Sequence, residues 1–270
     1  MTITESGLDA LAPVEGLLVD LSDGVLSITI DRPDSLNSVN PEVFAGMADA
    51  LERAATDPRV RVVRLGGTGR GFCSGAGIGA EDTGDGHEPM ETLHQGNRAI
   101  RAIVDLPRPV VAVVQGPTAG IGVSLAMAAD LVLASDKAFF LLAFTKIGLM
   151  PDGGASALVA AAIGRTRAMK MALLAERVTA AEALDWGMVS AVHPAESLAA
   201  EADAVIKRLL SGPAVAYAKT KAAINGATLA TLDATLAHET AGQYVLLSGN
   251  DLAEGIAAFQ DKRPPNFTDI

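Results

Sequence analysis

Residues 109–129, PVVAVVQGPTAGIGVSLAMAA, run for 21 positions without a charged side chain. That length is enough for a membrane span. The run is broken, however, by Pro109, Gln115, Gly116, Pro117, Gly120 and Gly122, which punctuate a chain into strand, turn and helix. It therefore reads as a buried strand over 110–114, a glycine-rich turn, and a buried helix over 120–129. The chain has to build a core large enough to hide both.

The rest of the pattern supplies that core. Apolar runs over 16–21 and 25–31 flank Ser22-Asp23-Gly24, a hairpin signature. A helix is predicted from about Pro41, with Asn40 as N-cap and Phe44, Met47, Ala48 and Leu51 on its apolar face. Strands are predicted over 60–65, 131–134 and 138–140, and a helix over 88–105. Residues 66–86 are glycine-rich and long enough to be functional rather than a mere connection. From Gly153 onward helices dominate, over 153–163, 165–175, 179–185, 195–210, 213–225, 231–247 and 250–261, with one strand over 189–192. Strands alternating with helices predict an α/β core with a largely parallel sheet. A division follows between a core over 1–200 and a helical region over 201–270.

Composition excludes some functions. Lys and Arg number 21 against 32 Asp and Glu, a net charge of −11, which argues against a nucleic-acid partner because phosphate binding needs basic surface. A single cysteine, Cys73, allows no internal disulfide. The amino terminus has neither a basic nor an apolar leader segment. Together these predict a soluble, cytoplasmic protein without a membrane span. His87, His94, His193 and His238 show no paired ligand spacing, so no metal is expected. Asp82, Asp85, Glu88 and Glu91 read as a solvated acidic face.

Three glycine-rich motifs invite chemistry. Gly71-Phe72-Cys73-Ser74-Gly75 fits a G-x-C-x-G nucleophile elbow, with His193 or His238 as base; its plainer reading is a buried cysteine in a tight turn. Gly75-Ala76-Gly77-Ile78-Gly79-Ala80 matches a dinucleotide fingerprint but lies beyond the strand–helix turn that such a site requires. Gln115 to Gly122 follows a strand and opens a helix, where free N–H groups favour developing negative charge, although glycines there also permit close packing. Backbone donors from the Ala76 and Ile121 regions converging on one carbonyl oxygen would make an oxyanion hole.

These segments, in order along the chain, resemble the crotonase (enoyl-CoA hydratase/isomerase) superfamily. The resemblance is carried by Ile28 to Pro33 with Leu36-Asn37-Ser38, by Gly71 to Ala76, and by Arg108 to Gly122. Ala129-Asp130, Ile147 to Gly154, Ala183 to Val189, and Glu254-Gly255 with Phe259, Lys262 and Arg263 continue it. It covers about residues 16–267. It implies a crotonase (ClpP-like) α/β fold, a spiral of ββα units with a helical C-terminal trimerisation region, assembled as a homotrimer or dimer of trimers. It also implies an acyl-CoA thioester substrate and no separate cofactor, since coenzyme A enters with the substrate.

In that resemblance the thioester oxygen lies between the N–H groups of Ala76 and Ile121. Coenzyme A lies along Leu36, Asn37 and Ser38 and along Ser74, Gly75 and Ala76. Gly120, Ser124 and Phe144 flank the acyl group, and Phe259 and Lys262 cover the coenzyme of a neighbouring subunit, although Lys262 also reads as an ordinary solvated lysine. Hydratases of this family use two glutamates, and their positions fall here on Ser124 and Phe144, neither of which is a base. Gly77 stands where relatives often carry Asp. Asp152, in Pro151-Asp152-Gly153-Gly154, is the remaining acid, either a proton shuttle for double-bond isomerisation or a helix cap. The expected activity is enoyl-CoA isomerisation, with 2-enoyl-CoA hydration or non-catalytic acyl-CoA binding as alternatives.

Overall fold

The computed structural model describes residues 7–77 and 89–269. Ile78, Gly79 and Ala80 of the fingerprint motif, and Asp82, Asp85, His87 and Glu88 of the acidic run, lie outside the described residues. Strands β1 (Leu17–Ser22) and β2 (Val25–Ile30) form the expected hairpin, Ser22 facing Val25. Its two-residue turn has positive φ at Asp23 (50°) and Gly24 (83°), the conformation that matches the twist of paired strands.

From β2 onward one motif repeats. A strand of a large sheet is followed by a short strand of a smaller one and then by a helix. The first turn of the spiral is β2, β3 (Ser38–Val39) and α1 (Pro41–Ala54). The second is β4 (Val62–Gly67), β5 (Gly75–Ala76) and α2 (Pro89–Asp105). The third is β6 (Val110–Val114), β7 (Pro117–Ala119) and α3 (Ile121–Ala128). The fourth is β8 (Leu131–Ser135) and β9 (Phe139–Leu141), followed by α4 (Ala155–Ile163) and α5 (Arg165–Leu174). Then come β10 (Val178–Thr179), α6 (Ala180–Trp186), β11 (Ala191–His193), α7 (Leu198–Leu210), α8 (Ala214–Thr228), α9 (Leu232–Leu246) and α10 (Asn250–Gln260).

The large sheet runs β1-β2-β4-β6-β8-β11 and is parallel from β2 onward. The short strands pair as β3-β5 and as β10-β9-β7, with an isolated bridge from Cys73 to Thr118 between the two.

Strand β6, Val-Val-Ala-Val-Val, explains why this stretch carries no charge. Val110, Ala112 and Val114 face the main core, while Val111 and Val113 face a second cluster formed with Leu198, Ala202 and Ile206 of α7. Alternate side chains leave opposite faces of a strand, so covering both faces makes every position apolar. Helix α7, which spans the division drawn at residue 200, thus closes one face of the sheet. Helix α3 is buried on nearly every side, as expected of a helix apolar all round. No helix among the described residues is long and apolar enough to cross a membrane.

The N-cap reading of Asn40 holds: its Oδ1 accepts from Val43 N–H at 3.0 Å. The strands expected over 60–65, 138–140 and 189–192 start one or two residues later, at Val62, Phe139 and Ala191. Strands β3, β5, β7 and β10 are two or three residues long, too short for periodicity to register.

Candidate active site

Two backbone segments meet at the centre of the small-strand layer. Ala119 N–H donates to Cys73 O (2.9 Å) and Phe72 N–H to Pro117 O (3.0 Å), sewing the chain before β5 to β7. Gly75 (φ 101°) and Gly120 (φ 55°) then lie against one another. A methyl group on Gly75 would stand 3.1 Å from Ala119 O and 3.5 Å from Gly120 Cα. Positive φ and this close approach both require glycine.

The polypeptide direction exposes two donors here. Gly77 N–H bonds to Val39 O (3.3 Å) on β3, so Ala76 N–H, one residue back, points to the opposite edge of β5, where Gly120 lies. Ile121 is the first residue of α3, and helix geometry leaves its N–H without an intrahelical acceptor. Both donors thus belong to the backbone segments that meet at Gly75 and Gly120, that of Ile121 at the positive end of a helix.

The nucleophile-elbow reading of Cys73 fails. The chain directly after it is not helical: Gly75–Ala76 is a strand. The thiol is fully buried, and burial pushes it up to about 12, far from a reactive thiolate.

Asp152 sits between α3 and α4. A methyl group on its neighbour Gly153 would stand 2.7 Å from Ile121 Cγ1 and 3.2 Å from Ser124 Cβ, which places the loop on the first turn of α3. Ser124, wholly buried, donates its hydroxyl to Asp152 O at 2.9 Å. Asp152 is not a helix cap. The N-terminus of α4 is served instead by Glu239, whose Oε2 accepts from Gly154 N–H (2.7 Å) and Oε1 from Ser156 N–H (2.9 Å). Asp152 Oδ2 accepts from Gln243 Nε2 at 2.8 Å, whereas Oδ1 is buried without a hydrogen-bond partner. Burial pushes the carboxyl up to about 7; the Gln243 donor opposes this and the charge of Glu239 adds to it. An acid with that value is half in its basic form near neutral pH.

The other expected site residues divide into groups. Leu36, Asn37 and Ser38 adjoin Ser74, Gly75 and Ala76: β3 pairs with β5, Ser38 opposite Gly75, and Ser74 Oγ donates to Ser35 O at 2.8 Å. Within that group the Asn37 side chain is wholly buried and spent on the protein. Its Oδ1 accepts from Arg32 N–H (2.9 Å), and its Nδ2 donates to Thr68 O (2.8 Å) and Gly71 O (2.7 Å). It shapes the loop and offers no free polar atom to a ligand. Leu36 and Asn37 both hold positive φ (57° and 62°), a conformation costly for non-glycine residues and maintained here by those bonds.

Phe144 is buried with its ring 3.8 Å from the Gly120 methyl position. Phe259 and Lys262 stand exposed at the end of α10 and make no hydrogen bond or ion pair to the other site residues. A groove of about 940 Å³ between α1, α2 and α9 contains neither Asp152 nor the two donors. Glu239 and Gln243 were not singled out from sequence. Their spacing of four on a helix was visible, but nothing in one sequence says that this face meets an acid ninety residues earlier.

Comparison with known proteins gives consistent results. Residues 20–270 match the family described as enoyl-CoA hydratase/isomerase. The 1,2-epoxyphenylacetyl-CoA isomerase of Escherichia coli is 37% identical over 94% of this chain and 99% of its own length. A probable enoyl-CoA hydratase of Rhodobacter capsulatus is 39% identical, covering 92% and 96%. A crystal structure of an enoyl-CoA hydratase from Mycobacterium avium subsp. paratuberculosis superposes with a TM-score of 0.90 at 65% identity, covering 95% of this chain and all of that one.

Proposed function

Since this chain belongs to the enoyl-CoA hydratase/isomerase family, we propose that it isomerises the carbon–carbon double bond of an enoyl-CoA thioester with Asp152 as its one acid–base group. The observation that carries this reading is the state of Asp152 Oδ1: buried, without a protein partner, on a carboxyl poised near neutrality. Deprotonated Asp152 takes a proton from the allylic carbon next to the thioester of a 3-enoyl substrate. The electron pair moves into the thioester carbonyl, giving an enolate whose oxygen accepts from the N–H groups of Ala76 and Ile121. Asp152 then returns the proton at the γ carbon, leaving the 2-enoyl product. One donor of such a pair is worth about 3 kcal/mol in the transition state.

Hydration needs two groups to hold and activate water, and the two positions used for it in the family hold Ser124 and Phe144. The Ser124 hydroxyl is already committed to Asp152 O. Hydration of a 2-enoyl substrate remains the second reading because the Rhodobacter capsulatus relative and the mycobacterial structure carry that name. The Escherichia coli relative's name makes a ring-bearing acyl-CoA a second substrate class to test. A trimer, or a dimer of trimers, with coenzyme A along Leu36–Ser38 and Ser74–Ala76, belongs to the same proposal. It is supported by Val215, Ile224, Tyr244, Val245 and Phe259, apolar or aromatic side chains left exposed on α8, α9 and α10.

The test offers purified protein 3-enoyl-CoA and 2-enoyl-CoA, alone and with Asp152→Asn. Isomerisation of the first, lost in the variant, is expected. Rapid hydration of the second that survives Asp152→Asn would overturn the assignment, and acyl-CoA binding with turnover of neither would make the protein a non-catalytic binder.

A further inference from the structure

We propose that Gln243 and Glu239, one turn apart on α9, are positioning residues that commit one oxygen of Asp152, Oδ1, to both halves of the proton transfer. The proposal rests on the isomerase reading of Asp152. Gln243 Nε2 donates to Met150 O at 2.8 Å and to Asp152 Oδ2 at 2.8 Å, so both of its N–H bonds are spent. A backbone carbonyl only accepts, so Met150 O fixes which end of the amide faces the loop. Asp152 therefore always meets a donor at Oδ2. A donor there disfavours a proton on that oxygen, and the acid form carries its proton on Oδ1, the oxygen left without a protein partner.

Glu239 acts on the same carboxyl in the opposite sense. Its two oxygens hold Gly154 N–H and Ser156 N–H, fixing the turn that follows Asp152, and it places a second negative charge beside Asp152. It is almost wholly buried. The groups facing Asp152 from α3 (Ile121 and Ser124) and from the start of α4 are uncharged. From α9 come Glu239, with His238 beside it, and neutral Gln243. Gln243 thus pulls the carboxyl toward its ionised form, Glu239 pushes it toward the acid, and the two settle Asp152 where it can both take a proton and give one back. A single working oxygen also keeps removal and return on one face of the substrate.

The test uses Gln243→Met, which keeps volume but removes the donor, and Glu239→Gln, which removes the charge but keeps an acceptor. The Asp152 carboxyl is titrated by carbon NMR on aspartate-labelled protein, its signal assigned by its loss in Asp152→Asn. The pH profile of kcat/KM on 3-enoyl-CoA is measured alongside. Gln243→Met is expected to move the titration up by about one pH unit, and Glu239→Gln to move it down by about as much. The kinetic profile should follow each.

A merely structural role would lower stability without shifts of opposite sign. Unmoved titrations, or shifts in the same direction, would overturn the proposal. Should Gln243→Met fail to fold, the downward shift in Glu239→Gln decides alone. If Asp152→Asn retains isomerase activity, the functional reading fails, while the NMR shifts still judge the positioning.

Discussion

Ser124 Oγ donates to the backbone carbonyl of Asp152 at 2.9 Å, tying the first turn of α3 to the loop that carries the acid. The helix proposed to supply an oxyanion donor therefore also fixes the height of the proposed base. Ser124 is wholly buried, so its hydroxyl serves as a strut rather than a ligand group.

Removing the strut should loosen the base without removing it. Ser124→Ala forfeits one buried hydrogen bond, about 1 kcal/mol of stability, and is expected to lower kcat several-fold with little change in KM. Ser124→Glu, which introduces the residue type that the resemblance gives hydratases here, would place a carboxylate at a wholly buried position. It is expected to destabilise the fold by about 3 kcal/mol or more and to yield no hydratase. Thermal melts and steady-state kinetics on both variants check this.

The donor role of Ile121 can be tested by a substitution that removes its N–H. Proline is tolerated at the first position of a helix, where its missing N–H has no intrahelical acceptor in any case. Ile121→Pro should therefore fold, yet lose the one proposed donor that α3 supplies, with kcat falling about 10²- to 10³-fold. Ile121→Val, which trims the side chain and keeps the N–H, should stay within a few-fold of the parent. Equal losses in the two would assign the effect to packing.

Much of this arrangement was legible before any coordinates. The uncharged stretch over 109–129 announced a two-faced strand and a buried helix, because covering both faces leaves a charge nowhere to go. The place of Asp152 was readable from the chain, but its role was not, since Pro-Asp-Gly-Gly equally describes a capped helix start. Only the capping of Gly154 and Ser156 by Glu239 releases Asp152 from that duty, and that contact spans more than eighty residues. Asn37 shows the reverse case: in a segment that the resemblance assigns to coenzyme A, its polar side chain is taken up by three bonds to the protein's own backbone.

Activity and stability should depend on pH in opposite directions around Asp152. Its carboxyl is raised from 3.8 to about 7 in the folded chain. The stability it contributes is complete below pH 3.8 and is lost as pH rises through about 7. Proton abstraction needs the ionised form, so kcat/KM should climb over the upper part of that window. Asp152→Asn is expected to abolish turnover and to raise the melting temperature relative to the parent at pH 8, with little difference at pH 4. A melting difference independent of pH would show that the buried carboxyl is not the titrating group.

Helix α8 is pinned to the core by Lys221. Its Nζ lies 3.0 Å from Asp130 Oδ2 and donates to Ile103 O (2.8 Å) and Arg108 O (3.3 Å), with only 7% of the side chain exposed. Burial lowers the Lys221 pKa and raises that of Asp130, each outweighing the attraction between them, so the pair resists separation more than it stabilises the fold. Lys221→Met strands the Asp130 carboxylate and two carbonyls and is expected to cost about 3–5 kcal/mol. Lys221→Met with Asp130→Asn should recover part of that loss. Urea unfolding of the parent, the single variant and the double variant measures it.

The C-terminal tail should come away from α10 in acid. Arg263 grips Glu254 with two bonds, Nη1 to Oε1 at 2.6 Å and Nη2 to Oε2 at 2.8 Å, and Asn266 N–H donates to the same Oε1 at 2.7 Å. The guanidinium holds the Glu254 carboxyl down at about 2, against 4.5 when free. A depressed acid contributes stability above its free value and loses it as pH falls through its folded one. The tail should thus remain docked at pH 5 and release progressively between about 4.5 and 2, while the large sheet, which involves none of these groups, stays protected. Hydrogen exchange at Asn266, whose N–H Glu254 accepts, compared with β6 across that range, reports the difference, and Glu254→Gln should expose that amide already at pH 7. A tail that exchanges at the same rate in parent and variant at neutral pH would show that the Arg263 grip does not hold it.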